Sequence, residues 1–449
     1  MRAKAAVARA VGALSRRTGR GGTSLPGKVL LRLQPDAIAR LAAALPRGSA
    51  VISATNGKTT TAAMVASILE RGGTSLVANR AGANMAGGIA TTLLDARGRG
   101  DLGLFEVDEF WLGGVVEQLR PRALLLANLF RDQLDRYGEL ETIADRWADV
   151  VAAVAPHGTR LVLNADDPLV ADLGRDLPGA LRFGVEDTSL ALPGLQHAAD
   201  SKHCRRCGSP YVYDAVLMGH LGHYHCPTGD ATRPAPDVAA RDVVLEGIRS
   251  AAFTLATAEG DRRVHLPLPG LYNVYNALGA AALALALGAP LDDVVAGLEA
   301  VAPAFGRAET VKLGDRDLTL LLVKNPAGAN EVLRTLLLEP GEHDLFGVLN
   351  DRIADGRDVS WVWDADFELL AGRVRRATCS GTRAAELAVR LKYAGIDPDR
   401  IAVVPELEAG LDAARADGGG PLYALPTYTA MLGLRDLLTR RGVTRSSWA

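Results

Sequence analysis

The sequence predicts an α/β protein in which a mostly parallel sheet, covered by helices on both faces, is followed by a second α/β domain. Three observations carry this reading. An apolar strand beginning at Ala50 runs into a polar, Gly-containing turn and then a helix-like stretch over about 58–69. Short apolar runs at 102–107, 123–129 and 161–163 follow, separated by segments of helical length, and strands that alternate with helices pair in parallel. After a hinge at 303–306 the pattern resumes, with strand candidates at 318–323, 345–349, 401–404 and 422–425 and helix candidates at 331–338, 383–392 and 430–440.

A chain of 449 residues exceeds what one core supports, so two or three domains are expected. The expected division is a basic segment 1–48 packed on the central domain, a central domain 49–304 and a C-terminal α/β domain 305–449. Within the central domain, 201–233 changes texture to Cys, His, Gly and Tyr with little helical period and reads as a small insertion, and 278–287 reads as an Ala/Leu-rich buried helix.

With 48% apolar and 23% charged residues the chain is ordinary globular protein. A formal net charge of -2 removes the overall positive field expected of a nucleic-acid binder. Locally, Arg2, Lys4, Arg9, Arg16, Arg17, Arg20, Lys28 and Arg32 all precede the first acid, Asp36, which makes the start a candidate transit peptide or a candidate contact with anionic lipid. Arg9 breaks the apolar run of that segment, which argues against a secretory signal. The longest apolar stretch, 278–291, is too short to cross a bilayer core of roughly 30 Å. A soluble cytoplasmic chain is expected, with the inner face of the plasma membrane as the place where its basic start would meet lipid.

The most informative segment is Ser53-Ala54-Thr55-Asn56-Gly57-Lys58-Thr59-Thr60-Thr61. Between a strand and a helix, backbone N–H groups and the positive helix end hold polyphosphate. Lys58 would reach the outer phosphates, and the Thr59 hydroxyl would bind Mg²⁺. Ile52 stands where the usual loop has its first Gly, so this is a variant P-loop. Capping alone also favours Ser and Thr at such a position. Further on, Glu106-Val107-Asp108-Glu109 ends a strand candidate at the edge where such sheets bind ligands, and a carboxylate there, Glu106, can complete the Mg²⁺ shell.

This loop resembles the Thr-Asn-Gly-Lys-Thr of the Mur ligase family. Asn128 with Asp132-Gln133-Leu134-Asp135, Asn164-Ala165-Asp166-Asp167-Pro168, Gly270-Leu271-Tyr272-Asn273-Val274-Tyr275-Asn276-Ala277 and Phe305-Gly306-Arg307 follow in the family's order. The resemblance implies a Mur ligase-type central ATPase domain followed by a Rossmann-like C-terminal domain. It places Thr55, Asn56, Gly57, Lys58, Thr59 and Thr60 on the ATP phosphates, Asn273 and Asn276 at adenine, and Arg307 on the phosphates. Two positions depart from the pattern: Gln133 stands where the family often has a metal-binding His, and Leu321 where it has an Asp before Asn-Pro.

Lys324-Asn325-Pro326-Ala327-Gly328, the segment from Asn350 to Trp361, Arg390-Leu391-Lys392-Tyr393-Ala394-Gly395 and Leu425-Pro426-Thr427-Tyr428-Thr429 resemble one branch of the family, the ligase-like halves of lipid II isoglutaminyl synthases. That implies ATP-dependent amidation of the α-carboxyl of D-glutamate in the lipid II stem, through an acyl phosphate, with ammonia from a separate GatD-like glutaminase. An amino-acid-adding ligase of muramyl or folylpolyglutamate type, and a nucleotide-binding scaffold without catalysis, are the alternatives.

By the same resemblance, Cys204, Cys207 and Cys226 belong to a zinc ribbon. The fourth Cys would fall at Gly229, so His220, His223, His225 or Asp230 would have to complete a Zn²⁺ site, or the module is metal-free. Cys379 lacks the leading Gly of a Gly-x-Cys-x-Gly nucleophile turn and reads as a buried small residue, which leaves glutamine hydrolysis to the partner. In the family the ligase half lends an Asp to the glutaminase Cys–His pair. Asp355, in Ala354-Asp355-Gly356-Arg357-Asp358, is the candidate, a plain turn being the other reading.

Overall fold

A computed structural model describes residues 2–17, 24–79, 83–132, 140–229, 231–302, 307–416 and 420–444. The strands among them are β1 (Ser49–Ser53), β2 (Leu76–Ala78), β3 (Leu102–Glu106), β4 (Ala123–Leu126), β5 (Arg160–Asn164), β6 (Leu181–Val185), β7 (Val212–Met218), β8 (Leu221–His225), β9 (Val238–Glu246), β10 (Ser250–Thr257) and β11 (Gly260–Leu266). Then come β12 (Arg307–Leu313), β13 (Arg316–Leu321), β14 (His343–Val348), β15 (Val374–Ser380), β16 (Ile401–Val403) and β17 (Leu422–Pro426).

The first sheet runs β11-β10-β9-β6-β5-β4-β1-β3-β2, parallel from β2 to β9 and antiparallel across β9, β10 and β11. Every residue of β1, β3 and β4 is buried, as a parallel sheet covered on both faces requires. Successive residues serve opposite cores. Ala50 and Ile52 pack with the helices Lys58–Arg71 and Leu271–Ala286, whereas Val51 packs with Ala86–Ala96 and Leu140–Val154. Helix Leu271–Ala286 lies close on the sheet where its buried face carries Ala and Gly, with Gly279 over Phe183 and Leu125.

The N-terminal helices dock on the second of those faces. Gly27, in helix Leu25–Leu33, donates its N–H to the Thr91 hydroxyl at 2.8 Å, and a Cβ on it would stand 1.9 Å from the Gly87 carbonyl oxygen. Two glycines facing each other let the helix backbones touch.

The second sheet runs β12-β13-β17-β14-β15-β16, parallel except for the β12–β13 hairpin. Apolar cores cover both faces, one around Leu321, Leu345 and Tyr423, the other around Leu320, Phe346 and Leu434. The insertion forms the hairpin β7–β8. The proposed hinge 303–306 lies outside the described residues. No helix among the described residues is long and apolar enough to cross a membrane.

Candidate active site

The loop 54–57 leaves the C-terminal end of β1 and enters helix Lys58–Arg71. Gly57 makes the turn at φ +86°, where any Cβ would sit 1.9 Å from Asn276 Oδ1. The chain leaving β4 holds the loop's backbone. Thr55 N donates to the Asn128 carbonyl at 3.0 Å, and Asn56 N to Asn128 Oδ1 at 2.9 Å. Asn128 Nδ2 returns a bond to the Asn56 carbonyl at 3.0 Å, and Phe130 N donates to Thr55 Oγ1 at 3.1 Å.

The C-terminal domain grips the same loop. Lys324 Nζ donates to the Thr55 carbonyl at 3.0 Å and to Asp132 Oδ2 at 2.5 Å. The side-chain amides of Asn56 and Asn325 bond each other both ways, at 3.3 and 3.0 Å. Lys324 and Asn325 carried no site role in the sequence reading; their place directly after β13, at the ligand edge of a second parallel sheet, is the signal that could have found them.

Lys58 is buried. Its Nζ donates to the Ala54 carbonyl and pairs with Glu109 Oε2 at 2.8 Å. Burial alone would lower the Lys58 pKa, but the Glu109 charge outweighs it and holds the ammonium above its usual value. For Glu109, burial would raise the pKa, and Lys58 with Lys324 bring it below the usual carboxylate value instead. Glu109 was read only as part of an acidic strand end.

Glu106 is 2% exposed, and among the described residues neither carboxylate oxygen has a hydrogen-bond partner. Its backbone is clamped from both sides by Asn79, which accepts from its N–H at 3.0 Å and donates to its carbonyl at 2.8 Å. A buried carboxylate without a partner is costly and fits a cation ligand. Glu106 is therefore suited to a cation such as Mg²⁺, and Thr59, half-buried in the first turn of the helix, offers a hydroxyl of the kind such an ion takes.

Between the domains lies a cavity whose lining includes Asn56, Gly57, Thr60, Met218, Asn276 and Glu331. Asn276 Nδ2 donates to Asn273 Oδ1 at 3.0 Å, and Asn273 Nδ2 to the Pro269 carbonyl at 2.8 Å, so Asn273 supports Asn276 from behind the cavity wall. Leu321, the departure from the family pattern, also lines this cavity. Gln133 and the side chain of Arg307 lie outside the described residues.

Comparison with known proteins bears on these same segments. The family model of the Mur ligase middle domain matches residues 52–218, and that of the MurT ligase C-terminal domain matches residues 322–431. The lipid II isoglutaminyl synthase (glutamine-hydrolyzing) subunit MurT of Streptococcus pneumoniae is 34% identical over 434 residues, 96% of this chain and 95% of that protein. The chain belongs to the MurT family. A second MurT subunit, from Staphylococcus aureus, is 31% identical over 95% of both chains. Among solved structures, the pseudomurein peptide ligase type C of Methanothermus fervidus has a TM-score of 0.68 at 22% identity, covering 88% of this chain and 79% of that one. MurF from Acinetobacter baumannii has a TM-score of 0.65 at 18% identity, covering 92% and 80%. At such identities they support the Mur ligase fold.

In this MurT-family chain the cysteine module reaches the site. The sulfurs of Cys204, Cys207 and Cys226 lie within 4.8 Å of one another, close enough to share one metal ion. None of the histidines joins them. His220 is fully buried against Phe130, with its Nε2 3.5 Å from Asp167; His223 Nε2 lies 2.8 Å from the Val185 carbonyl; His225 pairs with Asp214 at 3.1 Å. The Thr228 hydroxyl lies beside them, 3.1 Å from the Cys207 sulfur and 2.9 Å from that of Cys226. Asp230 lies outside the described residues. The tip of β7–β8 carries Met218 into the cavity, while the Leu217 carbonyl accepts from Arg334 at 2.8 Å.

Asp166 and Asp167, from the Asn-Ala-Asp-Asp-Pro motif, tie this module down. Asp166 is fully buried and accepts from Arg233 at 2.6 Å and Tyr275 at 2.7 Å; Asp167 caps helix Pro168–Leu173 and receives Leu129 N.

Asp355 is also buried. It accepts from Thr429 N at 2.7 Å and Thr429 Oγ1 at 2.5 Å, anchoring the start of helix Tyr428–Arg440. Asp355 lines a second cavity with Arg131, Asp132, Lys324 and Trp361. Cys379 lies in β15 at 0% exposure, and burial pushes its thiol up to about 12.

Proposed function

We propose that the chain is the ATP-consuming subunit of a lipid II isoglutaminyl synthase, which amidates the α-carboxyl of the D-glutamate in the peptide stem. The observation that supports it best is the pairing of a MurT relationship over 96% of the chain with a buried Glu106, unpartnered among the described residues, beside the turn at Lys58.

A carboxylate does not react with ammonia unaided, because its oxygen is a poor leaving group. In the first step the substrate carboxylate oxygen attacks the γ-phosphorus of ATP in line, and the bond to ADP breaks. Lys58 would leave Glu109 for the phosphoryl oxygens and balance their charge, while Thr55, Asn56, Gly57 and Thr60 hold the phosphate chain. Mg²⁺, held by Thr59 and Glu106, would supply further charge neutralisation when bound. Arg307 is assigned to the phosphates, and Asn276 with Asn273 behind it to the base. Ammonia then attacks the acyl carbon, phosphate leaves, and the nitrogen gives up a proton.

Ammonia comes in this reading from a GatD-like glutaminase docked at the loop 351–364. Asp355 is proposed to orient that partner's catalytic His: with two bonds to Thr429 its carboxylate keeps lone pairs for an imidazole, and it reaches the cavity that also holds Lys324. Zn²⁺ on Cys204, Cys207 and Cys226 is proposed as a structural ion. The basic N-terminal segment is proposed to meet anionic lipid where the lipid-linked substrate resides.

The test uses the chain co-purified with its glutaminase and given lipid II, ATP and glutamine. The muropeptide product should lose one negative charge with ADP released. ADP release that responds to an added amino acid and not to glutamine or ammonium would favour an amino-acid-adding ligase instead.

A further inference from the structure

The domain-bridging cavity holds a buried carboxylate. Glu331, on helix Pro326–Leu337, lines it at 4% exposure. Its Oε1 accepts from Arg334 at 2.8 Å, and no hydrogen bond to its Oε2 is found among the described residues. The other polar walls are engaged. Lys324 is held by Asp132 and Thr55, the Asn56 amide by Asn325, and the Asn276 amide by Asn273 and the Thr61 hydroxyl. Met218, Leu321 and Val332 make apolar surface suited to a flat ring. Burial raises the Glu331 pKa, as expected of a carboxylate short of donors.

We propose that Glu331 selects the base of the nucleotide by accepting a hydrogen bond from an exocyclic amino group, with Met218 from the cysteine hairpin forming part of the wall beside it. This rests on the ATP reading above and adds to it the residue that distinguishes one purine from another. A carboxylate is acceptor-only. An amino group at C6 of a purine gives it a proton, a hydrogen at C6 gives it nothing, and a carbonyl at C6 turns lone pairs against it. A buried polar group left unpaired by the wrong ligand rejects that ligand more strongly than a missing apolar contact does. Arg334 supports the arrangement from both sides, because it holds Glu331 and, through the Leu217 carbonyl, the hairpin that carries Met218.

The experiment measures KM and competition binding on the intact two-subunit complex with three nucleotides: ATP, purine riboside triphosphate, which lacks the amino group, and inosine triphosphate, which carries a carbonyl in its place. Wild type should prefer ATP to purine riboside triphosphate by about 10-fold to 100-fold. In Glu331→Leu that preference should fall close to unity, mainly through weaker ATP binding. Glu331→Gln keeps the shape and can donate to a carbonyl, so it should narrow the preference for ATP over inosine triphosphate by roughly tenfold. It also serves as the readout if the leucine variant does not fold. Equal weakening of all three nucleotides in both variants would mean that Glu331 only holds Arg334, and it overturns the assignment, as does a wild-type enzyme indifferent to the amino group. If no nucleotide binds the wild-type complex at all, the ATP reading itself falls; a ratio unmoved by substitution sinks only the role of Glu331.

Discussion

Replacing Lys58 perturbs two things at once, and the structure shows how to separate them. Lys58→Ala removes the cation assigned to the γ-phosphate and also strands Glu109, which is 12% exposed in its side chain and keeps Lys324 as a neighbouring positive charge. Breaking one side of a buried ion pair costs about 3–5 kcal/mol. Residual hydration and Lys324 favour the lower end. At about 2–4 °C per kcal/mol for a domain of this size, the melting temperature should fall by roughly 6–12 °C. The double variant Lys58→Ala/Glu109→Gln removes both charges and should recover most of that stability, because deleting a whole buried pair is often close to neutral.

Activity should not follow. With no cation at the phosphoryl group, ADP release in the presence of lipid II and ammonium should stay depressed by at least about 10²-fold to 10³-fold in both variants. Glu109→Gln alone leaves Lys58 free to meet phosphate and should retain turnover. The pH dependence is fixed by the two shifts. Glu109, held below its usual value, contributes stability that is lost as pH falls through its folded pKa. Lys58, held above its usual value, contributes stability that is lost as pH rises through its own. The stability deficit of Lys58→Ala should therefore be flat between about pH 6 and about pH 9. Turnover that returns together with stability in the double variant would refute a catalytic role for Lys58. A Lys58→Ala protein that melts like wild type would refute the buried pair.

Gly57→Ala adds a methyl at φ +86° and drives it toward Asn276 Oδ1, so strain of about 1–2 kcal/mol should show as a small loss in melting temperature. The larger effect should be a KM for ATP raised roughly tenfold or more, one such factor for each 1.4 kcal/mol of lost binding, read from initial rates. Purified protein should hold close to one equivalent of zinc, and Cys204→Ser should lose it and weaken nucleotide binding measured directly by calorimetry, because the hairpin lines the cavity with Met218 and supplies the Leu217 carbonyl that Arg334 bonds. At pH 8 a thiol reagent should label exposed Cys207 in metal-free native protein and spare Cys379, whose thiol is pushed up to about 12, with peptide mass mapping as the check. Asp355→Asn should abolish glutamine-driven amidation and spare the ammonium-driven reaction; equal loss of both would assign Asp355 to the anchoring of Thr429 alone.

The first sheet was legible where its strands are continuous apolar runs bounded by turn residues, as at β1, β3, β4 and β5, because burial on both faces leaves no other composition. It was illegible at β9–β11, where Asp242 at φ 49° sits beside a register irregularity and breaks the alternation that would mark an antiparallel strand. Helix Leu25–Leu33 contains Pro26 and Gly27, residues that argue against a helix from local sequence. Pro is tolerated in the first turn, and Gly27 is required by the contact with Gly87. At the site, the phosphate turn announced itself through Gly57, Lys58 and Thr59. The pairing of Lys58 with Glu109 did not, since it depends on β1 and β3 lying side by side, and no local pattern encodes that. The histidines near the cysteines misled for the opposite reason: proximity in sequence says nothing about strand faces, and β7–β8 turns them to other partners.

Three segments far apart in sequence converge on one turn. The chain after β4 fixes the backbone of Thr55 and Asn56, the segment after β13 grips the same residues through Lys324 and Asn325, and His220, at the end of the cysteine hairpin, packs against Phe130, which bonds Thr55. The bonds from Lys324 and Asn325 exist only when the C-terminal domain is docked. Lys324 lines the same cavity as Asp355 and Trp361, from the segment to which the glutaminase is assigned. A partner that shifts that segment needs to move only one further side chain, Lys324, to reach the carbonyl of Thr55. Communication between glutamine hydrolysis and nucleotide binding then requires no long relay, and Lys324→Met should uncouple the two by removing the side chain common to both.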